Sequence, residues 1–147
     1  MIVLDTSVLS ALMQRVPDER VVRWLDRQPA ADVWTTTVTL FEAHYGIQLL
    51  PPGRRRDLLF ATLEAAVAEE FEGRVLAFDA PAAVAAAQLA AARRAAGRTV
   101  DVRDTLIAGI ARARRAAIAT RNARHFEGFG VEIVDPWAED ADGAAAG

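Results

Sequence analysis

Short apolar runs alternate along the chain with longer stretches in which apolar residues recur at helical spacing. The short runs have the β-branched and aliphatic composition of buried strands. They lie at Ile2–Leu4, Val33–Thr36, Val75–Phe78, Ala117–Thr120 and Val131–Val134. Strands that alternate with helices favour a parallel sheet covered by helices on both faces, with right-handed crossovers. The pattern therefore predicts one α/β domain with three layers, α/β/α.

Proline, glycine and hydroxyl residues mark the ends of the predicted helices. Thr6 and Ser7 follow the first strand and are expected to cap a helix that continues through 10–14. Further helices are expected at 18–27, about 38–50, 58–70, 81–96 and 101–113. In helix 38–50, Leu40, Phe41 and Tyr45 are expected to be buried.

The composition is that of a globular chain with one core. The 147 residues are 52% hydrophobic and 25% charged, and no apolar run approaches the roughly 18 residues of a membrane span. The chain has no cysteine, which excludes disulfides and thiolate ligands and favours a reducing cytoplasm. We expect no secretory signal after Met1, a domain over 1–137, and a disordered acidic and Gly/Ala-rich tail over 138–147.

Charge is unevenly distributed. The formal net charge of -3 argues by itself against a phosphate-bearing partner. All 17 basic residues, however, are arginine, and they outnumber the acids once the candidate site acids and the tail acids are set aside. Arginine forks onto phosphate oxygens, but a genome whose base composition favours Arg and Ala codons gives the same abundance.

Acids in three segments are candidates for a reaction centre. Asp5 directly follows the first strand, so it is expected at the carboxyl edge of the sheet, although an acid there can also form a turn or cap a helix. Glu42, a second candidate, lies about one turn into the predicted helix 38–50. A purely structural role is also open to it, because an acid there can offset the helix dipole or form a capping box with Thr39. Asp101 and Asp104 share one side of a helix N-terminus. They can cap it reciprocally, or Asp104 can bind a metal while Asp101 caps.

Carboxylates from separate segments repel one another unless a cation lies between them. Mg²⁺ and Mn²⁺ suit all-oxygen ligation, and a water bound to such an ion has a lowered pKa and can attack a phosphodiester. The acids therefore predict metal-dependent hydrolysis of a phosphodiester.

Four segments, in order, resemble the PIN domain of the ribonuclease toxins in VapBC toxin-antitoxin pairs, in particular the FitB-like branch. They are IVLDTSVLSAL, TLFEAHYGI, VDVRDTLIAGIA and AIATRNARHFEGFGVEIVDPW, and the match extends from Met1 to Trp137. The resemblance implies a parallel five-stranded sheet, Mg²⁺- or Mn²⁺-dependent cleavage of RNA, and a homodimer. It also implies inhibition by a small VapB-like antitoxin in a heterotetramer or a larger complex.

The resemblance also implies roles for individual residues. It implies a metal site of Asp5, Glu42 and Asp104, supported through hydrogen bonds by Thr6 or Ser7 and Asn122. Relatives often carry an acid where this chain has His125, so either Asp101 serves as an auxiliary acid or His125 contacts phosphate or Mn²⁺. Arg121 and Arg124 adjoin the site and, with His125, are candidate RNA contacts. They and the run 54–56 can equally form a solvated surface.

Two other functions remain open. His125 in place of an acid is compatible with a PIN-fold partner-binding module whose metal site is impaired. A phosphatase or phosphotransfer receiver needs a second acid beside Asp5, where Thr6 and Ser7 stand, and the sequence has no phosphate-cradling glycine loop.

Overall fold

The computed structural model describes residues 1–138, in which strands and helices alternate. The strands are β1 Ile2–Leu4, β2 Val33–Thr36, β3 Val75–Leu76, β4 Ala117–Ala119 and β5 Ile133–Val134. The helices are α1 Thr6–Leu12, α2 Glu19–Asp26, α3 Thr37–Gln48, α4 Arg54–Ala65, α5 Ala80–Ala95 and α6 Val102–Arg114. A π-helical turn, Ala66–Glu70, extends α4, and 3-10 turns lie at Ala30–Asp32 and Ala123–Phe126. The tail predicted from the composition lies, from residue 139 onward, outside the described residues.

The sheet is parallel throughout, and its strand order is β3-β2-β1-β4-β5. The chain moves outward from β1 on one side, through β2 and β3, and then crosses back to add β4 and β5 on the other side. The carboxyl end of the β1–β4 pair is therefore a topological switch point, where the crevice of an open α/β sheet forms. Leu4 pairs with Ala119, so the next residues, Asp5 and Thr120, leave the sheet side by side.

Two apolar cores cover the two faces of the sheet. Because successive strand residues point to opposite faces, Val3 joins the core beneath α5 and α6, and Leu4 joins the core beneath α1, α2 and α4. Ile118 and Ala119 of β4 divide between the cores in the same way. The predicted three-layer fold class with five parallel strands is confirmed.

The packing of α5 on α6 depends on small side chains. A Cβ added to Gly109 of α6 would lie 2.6 Å from the Cβ of Ala86 and 2.7 Å from the carbonyl oxygen of Ala82, both in α5. Both distances are shorter than van der Waals contact, so glycine allows the close approach of these helices. The alanine-rich composition of α5 thus has a structural role.

Strands β3 and β5 are shorter than predicted, and three further differences concern helices. The N-cap of α1 is Asp5 itself, so Thr6 and Ser7 belong to the helix. Helix α4 begins at residue 54, four residues earlier than predicted, directly after Gly53, whose φ of 155° is not helical. Phe41 and Tyr45 were wrongly expected in the core, because α3 buries other residues on its inner face and leaves these two exposed.

No helix among residues 1–138 is long and apolar enough to cross a bilayer.

Candidate active site

Asp5 lies at the switch point and is almost fully buried, with 6% of the residue exposed. Its Oδ1 accepts hydrogen bonds from the backbone NH groups of Ser7 and Val8, at 3.0 and 3.3 Å, and from the Ser7 hydroxyl. Its Oδ2 accepts a hydrogen bond from the hydroxyl of Thr120. Burial raises the pKa of Asp5, and the hydrogen bonds from Ser7, Thr120 and Val8 oppose that rise. Asp5 is therefore held in one orientation on both oxygens.

The loop after β4 is tied to the same acid through hydroxyl groups. The Thr120 hydroxyl, besides donating to Asp5, accepts a hydrogen bond from the backbone NH of Asn122 at 2.9 Å. The Ser7 hydroxyl accepts one from the backbone NH of Arg121 at 3.0 Å. Thr120 was not singled out in the sequence, although it follows β4 as Asp5 follows β1, and that equivalent position is the signal that identifies it.

The residues predicted to support the site behave differently from one another. The Ser7 hydroxyl donates a hydrogen bond to the carboxylate of Asp5, as predicted. The Thr6 hydroxyl is buried and has no hydrogen-bond partner among the described residues, so the predicted supporting bond from Thr6 is absent. Asn122 contributes through its backbone NH, by way of Thr120.

Glu42 lies in the second turn of α3. The N-cap of that helix is Thr36, whose hydroxyl accepts from the backbone NH of Thr39 at 3.0 Å, so Glu42 takes no part in the cap and its capping-box interpretation is wrong. The Glu42 carboxylate is largely buried and lies 3.7 Å from a guanidinium nitrogen of Arg103 in α6. Sequence reasoning did not identify Arg103.

Asp104 lies in the first turn of α6. Its backbone NH donates to Oδ1 of Asp101, the N-cap, at 3.0 Å, so the capping role expected for Asp101 is present. Its own carboxylate lies 3.2 Å from Nδ1 of His125. Burial and the charge of Asp101 raise the pKa of Asp104 to about 6; the charges of Glu42 and Asp5 also raise it, and His125 lowers it. Charges from three other acids thus act on one carboxyl group at this edge of the sheet.

A family model described as PIN domain matches residues 2–132 of the chain. The chain belongs to the PIN domain family. It is 40% identical to the plasmid stability protein StbB of Pseudomonas syringae pv. tomato, over 93% of this chain and 99% of that protein. It is 36% identical to a VapC ribonuclease of Sinorhizobium fredii, over 93% of this chain and 98% of that protein. The solved structure of FitAcB from Neisseria gonorrhoeae matches with a TM-score of 0.86 and 35% identity, over 94% of this chain and 99% of that chain. The predicted PIN resemblance is therefore confirmed.

The donors at this PIN site are of the right kind for a hard divalent cation. All are carboxylate oxygens, and a positive charge among them would relieve the repulsion that, after burial, raises the pKa of Asp104. Within residues 1–138, however, no three His, Asp or Glu side chains are close enough to hold an ion as they stand. Glu42 faces Arg103 and Asp104 faces His125, so ligation requires these two carboxylates to exchange their present partners.

The predicted RNA contacts lie around the loop after β4. The Arg121 guanidinium lies over the ring of Trp137, 5.0 Å from its centre, and Arg124 is exposed in the following 3-10 turn with His125. The run 54–56 begins α4, and Arg56 bonds to Gln48, the last residue of α3, six positions beyond Glu42. Arg121 and Arg124 are thus the better placed of the two sets.

A cavity of about 710 Å³ lies elsewhere on the PIN domain, between α1, α2 and the end of α4. Apolar side chains such as Leu9, Leu25 and Phe71 line it, and Glu69 and Glu70 are at its edge. None of the acids of the candidate site contributes to it.

Proposed function

We propose that this PIN-domain chain is a divalent-metal-dependent endoribonuclease and the toxin component of a type II toxin-antitoxin pair. The observation that carries the proposal is the position of the buried Asp5 at the carboxyl end of the β1–β4 pair, with Glu42 and Asp104 near enough for the charges of the acids to interact. The name of the VapC relative supports the activity, since that protein is called a ribonuclease. An enzyme that cuts cellular RNA would act in the cytoplasm.

Asp5, Glu42 and Asp104 are the residues that would hold Mg²⁺ or Mn²⁺, and Asp101 would add negative charge from the helix cap. When bound, the ion activates water and stabilises the charge that develops on the phosphate oxygens. Asp5 needs no rearrangement for this role, because Ser7 and Thr120 already fix both of its oxygens.

Other residues of the chain would position the substrate. Arg121 and Arg124 lie in the segment after β4, whose backbone is hydrogen-bonded to Ser7 and Thr120 next to Asp5, and their positive charge can meet RNA phosphates. Arg103 is the counter-charge of Glu42, and the His125 ring lies against Asp104, while these carboxylates are not ligating. Displaced from the acids, the same two side chains can bind phosphate oxygens of the RNA.

Asparagine substitutions at the acids test the activity. We expect Asp5→Asn and Asp104→Asn each to lower the rate of RNA cleavage in Mg²⁺ by more than about 100-fold, because each removes a ligand charge. EDTA should stop cleavage by the parent. Asp57→Asn, an exposed acid in the first turn of α4, is the matched control and should cleave at the parental rate. If both site variants cut a labelled RNA as fast as the parent, the assignment is wrong.

The predicted antitoxin is a further part of the proposal. The resemblance to VapBC toxins, and a relative called a plasmid stability protein, support a cognate protein that inhibits cleavage. If the gene immediately upstream encodes a short protein, co-expression with it should relieve any growth arrest that the chain causes alone and yield a stable complex. A complex that forms without loss of cleavage would contradict inhibition at the acidic site.

A partner-binding module with an impaired metal site is the second candidate, and the contact of His125 with Asp104 favours it. Calorimetric titration with Mn²⁺ distinguishes the two candidates. Measurable heat that Asp104→Asn abolishes supports the nuclease, whereas no heat and no EDTA-sensitive cleavage support the module.

A further inference from the structure

Two arginines at the carboxyl end of α5 bond to the backbone of the β4–β5 loop, residues 121–129. The guanidinium of Arg93 donates to the carbonyl oxygen of His125 at 3.2 Å. The guanidinium of Arg98 donates to the carbonyl oxygen of Glu127 at 3.1 Å and lies 3.8 Å from the Glu127 carboxylate. The end of one helix therefore holds two carbonyl groups of the same loop.

The turn that ends α5 fixes the spacing between the two arginines. Gly97 adopts a left-handed conformation, with a φ of 73°, and its backbone NH donates to the carbonyl oxygen of Arg94 at 3.0 Å. The backbone NH of Arg98 donates to the carbonyl oxygen of Arg93 at 3.0 Å, which completes a Schellman motif. The two guanidinium groups thus project from one hydrogen-bonded turn.

The Arg93 side chain also packs on the loop through its planar face. Its Cζ lies 4.4 Å from the centre of the Phe129 ring, a contact that a planar cation makes well. Its Nε is buried and has no hydrogen-bond partner among residues 1–138. Because burying an unpaired donor costs free energy, the position of this side chain depends on its contacts with Phe129 and with the carbonyl group of His125.

The other end of the β4–β5 loop is held at the candidate active site. The backbone NH groups of Arg121 and Asn122 donate to the hydroxyls of Ser7 and Thr120, which themselves donate to Asp5. The next exposed side chains of the loop, at positions 124 and 125, are those proposed to meet RNA. The segment that carries them is therefore fixed on one side by the acid and on the other by α5.

We propose that Arg93 and Arg98 are positioning residues for the RNA substrate, because they fix the β4–β5 loop so that Arg124 and His125 meet the phosphates in one arrangement. This inference rests on the proposed nuclease function. Charged side chains that are already held in place lose less conformational entropy on binding, so the affinity for RNA is higher.

The two arginines should act on RNA binding and not on the chemical step. Both donate to the β4–β5 loop, whereas the acids proposed to hold the metal belong to α3, α6 and the end of β1. A change that weakens the substrate complex and the transition state equally raises KM and leaves kcat unchanged. A split between the two constants therefore distinguishes positioning of the loop from a general loss of folded enzyme.

Steady-state kinetics on a short single-stranded RNA in Mg²⁺ tests this split. Arg93→Met and Arg98→Met should each raise KM by about three- to tenfold, as expected for one lost hydrogen bond from a charged group, and leave kcat within about twofold of the parent. Arg93→Lys should recover part of the loss, because lysine can still donate to the carbonyl group of His125. A fall in kcat at unchanged KM would overturn the proposal.

Arg94→Met is the matched control, because it removes a positive charge from an exposed neighbour on the same helix. It should keep the parental KM. If it raises KM as much as Arg93→Met does, the effect is one of net charge and the positioning proposal is wrong.

Hydrogen exchange tests whether the arginines hold the loop, with no need for activity. The backbone NH groups of His125 and Phe129 donate to the carbonyl oxygens of Asn122 and Phe126 within the loop. These two amides should exchange faster in Arg93→Met and Arg98→Met, while the amides of α6 keep their parental rates. Unchanged exchange in the loop would overturn the proposal.

RNA binding separates this proposal from the nuclease assignment. In the Asp5→Asn protein, adding Arg93→Met should weaken binding of a labelled single-stranded RNA by about three- to tenfold in fluorescence anisotropy. If binding weakens in this way but the parent does not cleave RNA in Mg²⁺, the nuclease assignment is wrong and the positioning role stands. If exchange in the loop rises while RNA affinity stays the same, the arginines serve stability alone and the positioning proposal is wrong.

Discussion

Helices α3 and α6 each bring one acid to the candidate site, but they are held in different ways. Five consecutive residues in the middle of α6, from Ile107 to Ala111, are buried. Helix α3 has one buried face and one open apolar face. Asp104 is thus placed by an N-cap and by close helix packing, whereas Glu42 is placed by a half-covered helix and one ion pair. The comparison indicates that the site has a rigid side, formed by α6 with Asp104, and an adjustable side, formed by α3 with Glu42.

Adding one methyl group to each helix should have opposite effects on stability. Gly109→Ala in α6 should destabilise the fold by about 1–3 kcal/mol, because its Cβ would overlap Ala86 and the backbone of Ala82. Gly46→Ala in α3 meets no atom within 4 Å and should stabilise it by about 0.5–1 kcal/mol, through helix propensity. Chemical denaturation measures both. Equal effects of the two substitutions would show that α6 is no more tightly packed than α3.

The raised pKa of Asp104 predicts a pH dependence on the rigid side of the site. The folded-state pKa is about 6, above the usual 3.8, so the folded protein favours the neutral acid. Its contribution to stability is fully present below about pH 4 and is lost as the pH rises through 6. In EDTA, Asp104→Asn should therefore gain melting temperature relative to the parent between pH 4 and 7. A constant difference across that range would contradict the shift.

Protons should also compete with the metal at this carboxyl group. Cleavage at a fixed, subsaturating Mg²⁺ concentration should fall between pH 7 and pH 5, and additional Mg²⁺ should restore part of it. A loss of activity that added metal does not relieve would assign the pH effect to another group.

Arg103→Ala tests the adjustable side and has the smallest expected effect. The pair with Glu42 is half exposed at the arginine, and such pairs contribute about 0–1 kcal/mol. Without the competing cation, Mn²⁺ affinity should rise by up to about fivefold in calorimetry. Arg112→Ala, in the last turn of the same helix, is the matched control and should leave the affinity unchanged. Weaker Mn²⁺ binding by Arg103→Ala would mean that the pair organises Glu42 instead of competing for it.

Much of the fold could be read from the sequence because its signals are local. The strand Ile2–Leu4, the Pro-Pro-Gly turn before α4 and the N-cap position of Asp101 each follow from a few neighbouring residues. The position of Asp5 after an apolar strand predicted its place at the sheet edge for the same reason. The acids proposed for the site were found by this route and by the family resemblance.

The features that were missed depend on contacts between distant segments. The bond of Thr120 to Asp5 joins residues 115 positions apart, and the pair of Arg103 with Glu42 joins two helices. The burial of Phe41 and Tyr45 was wrongly predicted because hydrophobicity alone does not say which face of an apolar helix meets the sheet. A second core, or a second molecule, satisfies the same pattern.

Asp5 is both a proposed metal ligand and the N-cap of α1. Alanine there would remove both the proposed metal ligand and the hydrogen bonds that cap the first turn of α1. Asparagine keeps a side-chain oxygen for the backbone NH groups of Ser7 and Val8. An inert protein for trapping RNA or an inhibitor should therefore carry asparagine. A chain that no longer needed catalysis would still need a capping oxygen where its first strand ends.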